Sequence, residues 1–225
     1  MQHYSFDLWL TLIKSHPDHK RQRATYFYQN WNPQNKPIEA VEELVFGVDR
    51  WGNHYNEITG HCLNHGFMFG MVLQQMGIPH REITPEVLQE VKNKVAQVFS
   101  NHPPSLLDDN LPNKFYELRA RGCTLNLSSN TGFANGRQLR PILNELGIGS
   151  YFNFLVFSDE IHYSKPDQQF FEAVWRGIET LYPAGLAKNQ VLHVGDNPFA
   201  DVTGAEKFGF NTLLLTNPEH LSAQI

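Results

Sequence analysis

From residue 111 to residue 215 the sequence alternates between two hydrophobic periods, and this limits the folds open to the chain more than any other feature. Helical spacing over residues 111–121 gives way to a β-rich run at 123–128. Leu139, Ile142, Leu143 and Leu146 then mark a helix stripe that Gly147 stops. A strand at 152–157, a helix at 168–181, a strand at 191–194, a helix at 201–208 and a last strand at 212–215 complete the series. Strands separated by helices cannot pair as hairpins. The pattern therefore predicts a mostly parallel sheet with helices on both faces, an α/β fold. In such sheets ligands sit beyond the carboxyl ends of the strands, so the polar residues just after each strand carry the functional signal.

The N-terminal part reads differently. Residues 4–13 are short, apolar and aromatic, as a buried strand running into a loop would be. The next ninety or so residues carry Trp31, Trp51 and many His and Asn, with helical spacing in places. Thr84-Pro85-Glu86 gives an N-cap, a proline at the first helical position and an acidic first turn. The apolar positions Val87, Leu88, Val91, Val95 and Val98 follow, and Asn101-His102-Pro103-Pro104-Ser105 breaks the pattern like a hinge. At about 150 residues per domain, 225 residues make one large domain or a core with a smaller insertion. No internal repeat or low-complexity tract appears.

Charge and composition exclude several partners. Eighteen Lys and Arg against 23 Asp and Glu give a net charge of −5. With no basic run, the footprint of a nucleic-acid binder is missing. No basic segment leads into an apolar stretch at the N-terminus, and no apolar run approaches the roughly 18 residues of a membrane span. With a mean hydropathy of −0.41, the expectation is a soluble cytoplasmic protein. Cys62 and Cys123 cannot build a disulfide framework and fit a reducing compartment, although a single pair stays open. The sequence is silent on oligomeric state.

Four strand ends supply complementary groups: Asp7 with Thr11 one turn on, Ser128-Ser129-Asn130-Thr131-Gly132, Lys165, and Gly195-Asp196-Asn197 with Asp201 behind. This set suits phosphoryl transfer. An Asp can act as nucleophile, separated carboxylates can hold Mg²⁺, and a lysine and a hydroxyl can meet phosphoryl oxygens. Backbone N–H groups at the start of the helix after Asn130 would add to the anion site. Each residue taken singly is an ordinary turn or loop residue; it is the ordered set that carries the signal.

Phe6-Asp7-Leu8-Trp9-Leu10-Thr11-Leu12, Leu127-Ser128-Ser129-Asn130, Ser164-Lys165-Pro166 and Gly195-Asp196-Asn197-Pro198-Phe199-Ala200-Asp201 resemble the four ordered motifs of the haloacid dehalogenase-like hydrolases. The resemblance implies a Rossmann-like parallel-sheet core, residues 1–14 and 103–225, with a mainly helical cap, 15–102, inserted after the first strand. Cap motion about the linkers near Lys14 and His102-Pro103-Pro104 would admit substrate. The implied nucleophile and metal ligand is Asp7. Ser129, beside Asn130, would bind the transferring group, and Lys165 would neutralise the nucleophile and phosphoryl charge. Asp196 would ligate Mg²⁺, with Asp201 supporting its waters or Lys165. The implied substrate is a small phosphorylated metabolite.

One position departs from that family pattern. Its phosphatases carry a second Asp two residues after the nucleophile, as general acid and then base; here the residue is Trp9. An indole cannot transfer a proton usefully, and such help is worth about 10²–10⁴-fold. The metal would lose less, because Trp9 keeps the backbone carbonyl that the family uses as a ligand. Three readings follow: a Mg²⁺-dependent phosphatase that is slow or acts on an activated substrate such as an acyl phosphate, a non-catalytic phosphate-binding or regulatory protein, and a metal-independent 2-haloacid dehalogenase. Against the last, Asp196 and Asp201 would face a carboxylate substrate with no cation between. Trp9 itself either narrows the site or stacks on a flat substrate. His61 and His65 have the i,i+4 spacing of metal ligands but no third partner, and solvated side chains are the simpler reading. Phe67-Met68-Phe69 and Met71 fit core packing or a cap–core contact better than a substrate pocket.

Overall fold

The computed structural model describes residues 2–216 and 218–225. Five strands form one parallel sheet: β1 (His3–Phe6), β4 (Thr124–Ser129), β5 (Phe154–Phe157), β6 (Val191–Gly195) and β7 (Asn211–Leu214), in the order β5-β4-β1-β6-β7. A second, two-stranded ribbon pairs β2 (Ile13–Lys14) with β3 (Ser105–Leu106), antiparallel. The central strand β1 has Phe6 in register with Leu127 on one side and Val194 on the other. That register brings Asp7, the Ser128–Asn130 turn and Gly195-Asp196 to one edge.

The helices cover the sheet as its two-sided burial requires. Helices α5 (Leu111–Ala120) and α6 (Gly136–Glu145) contribute Leu111, Phe115, Leu118, Leu139 and Leu143 to an apolar layer with Phe6, Leu125, Leu127 and Val194. Opposite them, α8 (Gln168–Leu181) and α9 (Gly204–Phe208) place Phe170, Phe171, Val174, Ile178 and Ala205 against Val156 and Val191. One turn, α7 (Ser158–Ile161), follows β5.

Between the ribbon strands lie α1 (His19–Asn30), α2 (Ile38–Thr59), α3 (His65–Gln75) and α4 (Pro85–Asn101). They pack a cluster of their own around Phe27, Val41, Val45, Phe69, Val72 and Val91, and Phe133 from the loop after β4 joins it. Thr84 caps α4 by accepting from the Val87 N–H, with Pro85 in the first turn, as its sequence implies. Met68 and Phe69 are buried in this cluster, Phe69 against Phe133 with ring centroids 5.2 Å apart, whereas Phe67 is exposed.

The first strand ends at Phe6 and runs into a loop, as expected for residues 4–13, where the chain folds back: Leu12 N–H donates to Leu8 O and Leu10 N–H to Ile13 O. Other boundaries differ from the sequence expectation. Residues 201–208 are not one helix. A six-residue π turn, Pro198–Thr203, precedes α9, and the Asn197 side chain caps it by accepting from the Phe199 and Ala200 amides. His61 and His65 do not share a helix, since α2 stops at Thr59 and α3 begins at His65. Cys62 and Cys123 form no disulfide. Among the described residues no helix is long and apolar enough to cross a membrane.

Candidate active site

Asp7 leaves the end of β1 with 6% of its surface exposed, its amide held by Val194 O at 2.9 Å. Lys165 crosses to it from the loop before α8. The ammonium donates to Asp7 Oδ1 at 2.6 Å, to Asp201 Oδ1 at 2.6 Å and to Ser128 O at 3.0 Å, and the residue is 1% exposed. Three acceptors satisfy all three of its protons, which is how a lysine can be buried while charged. Burial alone would lower its pKa, but the Asp201 and Asp7 carboxylates push it up to about 12. Asp201 is held well below the usual carboxylate range: burial opposes ionisation, and Lys165 and His193 overcome it. Asp7 behaves differently. Burial raises it to about 6 against the pull of Lys165, with Asp201 and Asp196 adding to the rise.

Asp201 is tied on both oxygens. Oδ1 accepts from Lys165 and lies 3.3 Å from His193 Nε2, and Oδ2 accepts from the Asn197 amide at 3.0 Å. His193 Nδ1 is 3.1 Å from Ser5 Oγ, so the contact chain runs back into the sheet. Asp196 is half-buried, accepts from Thr11 Oγ1 at 3.4 Å, and is shifted upward by burial and the Asp201 charge. Single carboxylate oxygens of Asp7, Asp196 and Asp201 lie within 4.8 Å of one another. Hard oxygen donors in that arrangement fit a divalent cation such as Mg²⁺. With Asp201 committed to Lys165 and Asn197, Asp7 and Asp196 are the carboxylates left to face it.

Asn130 reaches Lys165 through its backbone rather than its charge. Its Oδ1 accepts from the Lys165 amide at 2.7 Å, and its Nδ2 donates to the Lys165 carbonyl at 2.9 Å. The Ser129 hydroxyl donates to Asn130 O at 2.9 Å, and the residue is fully buried.

Asp7, Trp9, Asn130, Lys165, Asp196 and Asp201 line a cavity of about 340 Å³. Its far wall comes from the helices: His19, Lys20 and Arg23 of α1, and Asp49, Asn53, Asn56 and Glu57 of α2. Arg23 Nη2 donates to Asp49 Oδ2 at 2.9 Å, with the guanidinium 4.4 Å from the Phe133 ring centre. Trp9 lies beside Phe99, which also packs edge-on against His19. Sequence reading did not single out His193 or the α2 residues. His193 looks like any strand residue, and the α2 residues are three-dimensional neighbours with no motif.

Comparison with known proteins fits this geometry. The family model described as haloacid dehalogenase-like hydrolase matches residues 1–209. The human haloacid dehalogenase-like hydrolase domain-containing protein 3 is 32% identical over 105 residues, 47% of this chain and 38% of that protein. Pyrimidine 5′-nucleotidase PynA of Streptococcus pneumoniae is 34% identical over 79 residues, 35% of this chain and 31% of that protein. The chain thus matches less than half the length of these curated relatives. The HAD-hydrolase YfnB of Bacillus subtilis, a crystal structure bound to magnesium, superposes with a TM-score of 0.67 at 15% identity, covering 95% of this chain and 88% of that one. L-2-haloacid dehalogenase of Xanthobacter autotrophicus gives 0.57 at 17% identity, covering 96% and 77%. With the α/β fold, the shared strand edge and a family match over residues 1–209, the chain belongs to the haloacid dehalogenase-like hydrolases.

Proposed function

We propose that the protein is a Mg²⁺-dependent phosphohydrolase of a small phosphorylated metabolite, acting through an aspartyl-phosphate on Asp7. The observation that carries this is the buried Asp7–Lys165–Asp201 arrangement, in which the nucleophile and its neutralising cation meet at 2.6 Å at the cavity floor. Asp7, Asp196 and the Trp9 carbonyl would hold Mg²⁺, and Asp201 would support it. Bound there, the ion would screen the approach of a carboxylate to a phosphoryl anion.

In the first step an Asp7 oxygen attacks phosphorus in line, the P–O bond to the leaving group breaks, and the departing oxygen carries the electron pair. In the second, water attacks phosphorus, loses a proton, and the Asp7 carboxylate departs with inorganic phosphate formed. Lys165 faces the phosphoryl charge throughout. Trp9 offers no proton to the leaving oxygen, so the site favours leaving groups stable as anions, acyl phosphates among them. Residues 1–14 and 103–225 serve as the catalytic core and 15–102 as the cap, in a cytoplasmic protein that needs no nucleic acid or membrane. PynA, named as a nucleotidase, and a solved structure named as a predicted phosphoglycolate phosphatase support the substrate class.

Phosphate release from a panel that includes an acyl phosphate, with and without Mg²⁺, tests the reading. Activity is expected only with the metal, and Asp7→Asn should abolish it while leaving the fold intact. An Asp7→Asn variant as active as its parent would sink the mechanism. Trp9 favours a second reading, a phosphate-ligand-binding protein; aspartyl-phosphate trapped without turnover would select it.

A further inference from the structure

The main chain around Lys165 is held from a side that the sheet does not supply. Just past α2, Gly60 O accepts from the Ser164 amide at 2.8 Å, and the Cys62 amide donates to His162 O at 3.1 Å. His61 and Tyr163 form the antiparallel bridge between these two bonds, with ring centroids 5.7 Å apart. Gly60 has φ +71°, and a Cβ there would come within 2.6 Å of the Asp167 side chain. His162, across the bridge, has φ +65°, a conformation that costs a residue with a side chain and persists where surrounding bonds fix it. One turn earlier on α2, the Asn197 side chain donates to Glu57 Oε1 at 2.8 Å, reaching the loop that carries Asp196 and Asp201.

We infer that Gly60–Cys62 is a positioning element for Lys165: a clasp joining the end of α2 to the Lys165 loop, so that the helical segment and the ammonium of the site are set together. The inference rests on the role proposed above for Lys165. An ammonium meeting three oxygens at 2.6–3.0 Å needs a fixed backbone beneath it. Asn130 clamps Lys165 itself through its amide and carbonyl, and Gly60 clamps the residue before it. A helical segment swinging as a rigid lid about the β2–β3 ribbon would break the Gly60–Ser164 bond. Opening the cavity on the α2 side and loosening Lys165 are therefore one event.

Two NMR readouts that need no turnover test this: amide exchange at Cys62 and Ser164, and the ¹H–¹⁵N signal of the Lys165 ammonium, which its three hydrogen bonds protect. In Gly60→Ala, exchange of both amides and of the ammonium should accelerate at least tenfold. Adding Asp167→Gly removes the atoms that the new methyl group would meet but leaves the strain of φ +71°, and should recover part of the protection. If folded Gly60→Ala keeps the parental Lys165 signal, the inference is wrong. Should Gly60→Ala not fold, the parent decides. Equal opening rates for Cys62, Ser164 and Lys165 support the clasp, and a Lys165 rate more than tenfold away from the amide rates overturns it. A parent that shows the clasp but releases no phosphate from any substrate would sink the phosphatase reading and leave the clasp standing.

Discussion

The two walls of the cavity treat their buried polar groups in opposite ways. On the sheet edge, Lys165, Asp7, Asp201, His193 and Ser5 form one chain of contacts between 2.6 and 3.3 Å. On the helical wall, Arg23 Nε and His19 Nδ1 are buried without a hydrogen-bond partner, although both residues line the cavity. Leaving such a group unpaired costs about 1–3 kcal/mol. The sheet edge therefore has its charges set before any ligand arrives, as electrostatic preorganisation requires. The helical wall leaves polar capacity unfilled.

The largest expected effect addresses the one residue on the sheet edge that does not fit this description. Trp9→Asp should raise phosphatase kcat by about 10²–10⁴-fold if a missing proton donor limits the rate. An unchanged kcat in a folded variant would break the comparison, because acid–base help would then have to come from the helical wall.

Next in size is Lys165→Met, which leaves Asp7 and Asp201 buried without their shared cation. Unfolding in urea at pH 7 should show a loss of about 3–5 kcal/mol. Arg23→Met should lose less, about 1–3 kcal/mol, since its partner Asp49 keeps 20% of its side chain in solvent. Equal losses would show that the two walls are not different in kind.

The last effect, a pH dependence, concerns two histidines, one in each region. Burial lowers the pKa of both His3 and His19 to about 4. His3 bonds Thr124 and Asn126 through its two ring nitrogens, while His19 Nδ1 has no partner. In each case the unfolded chain takes up the proton first, near pH 6.5. The associated stability is thus complete above that pH and is lost as pH falls toward 4, about 3 kcal/mol in full for His3. Urea midpoints at pH 7.5 and 5.0 should converge in His3→Gln relative to the parent. A parental drop that His3→Gln leaves unaltered would assign the pH dependence elsewhere.

The sequence was informative where chemistry or periodicity is local. Helix Gln168–Leu181 and strand Val191–Gly195 announce themselves by spacing, and the residues after each strand converge because parallel strands end together. Helix Ile38–Thr59 was less legible, since Gly47, Trp51 and Gly52 interrupt its apolar stripe of Val41, Val45 and Val48. Ser129 shows another limit. Its position in the motif suggested a hydroxyl facing the phosphoryl group, while its side chain bonds the next carbonyl. Gly60, Asn56 and Glu57 gain their meaning only from what the fold sets opposite them.

The placement of β1 has a consequence for how the molecule is made. This four-residue strand is synthesised well before its partners, Thr124–Ser129 and Val191–Gly195, which come far later in the chain. During translation Asp7 emerges long before Lys165, Asp196 and Asp201, which it faces. The helical insertion, whose contacts are mostly local, can consolidate in the meantime, because long-range pairing is the slower event. Each new molecule therefore completes its candidate centre late, when an earlier-made strand is enclosed by two made after it.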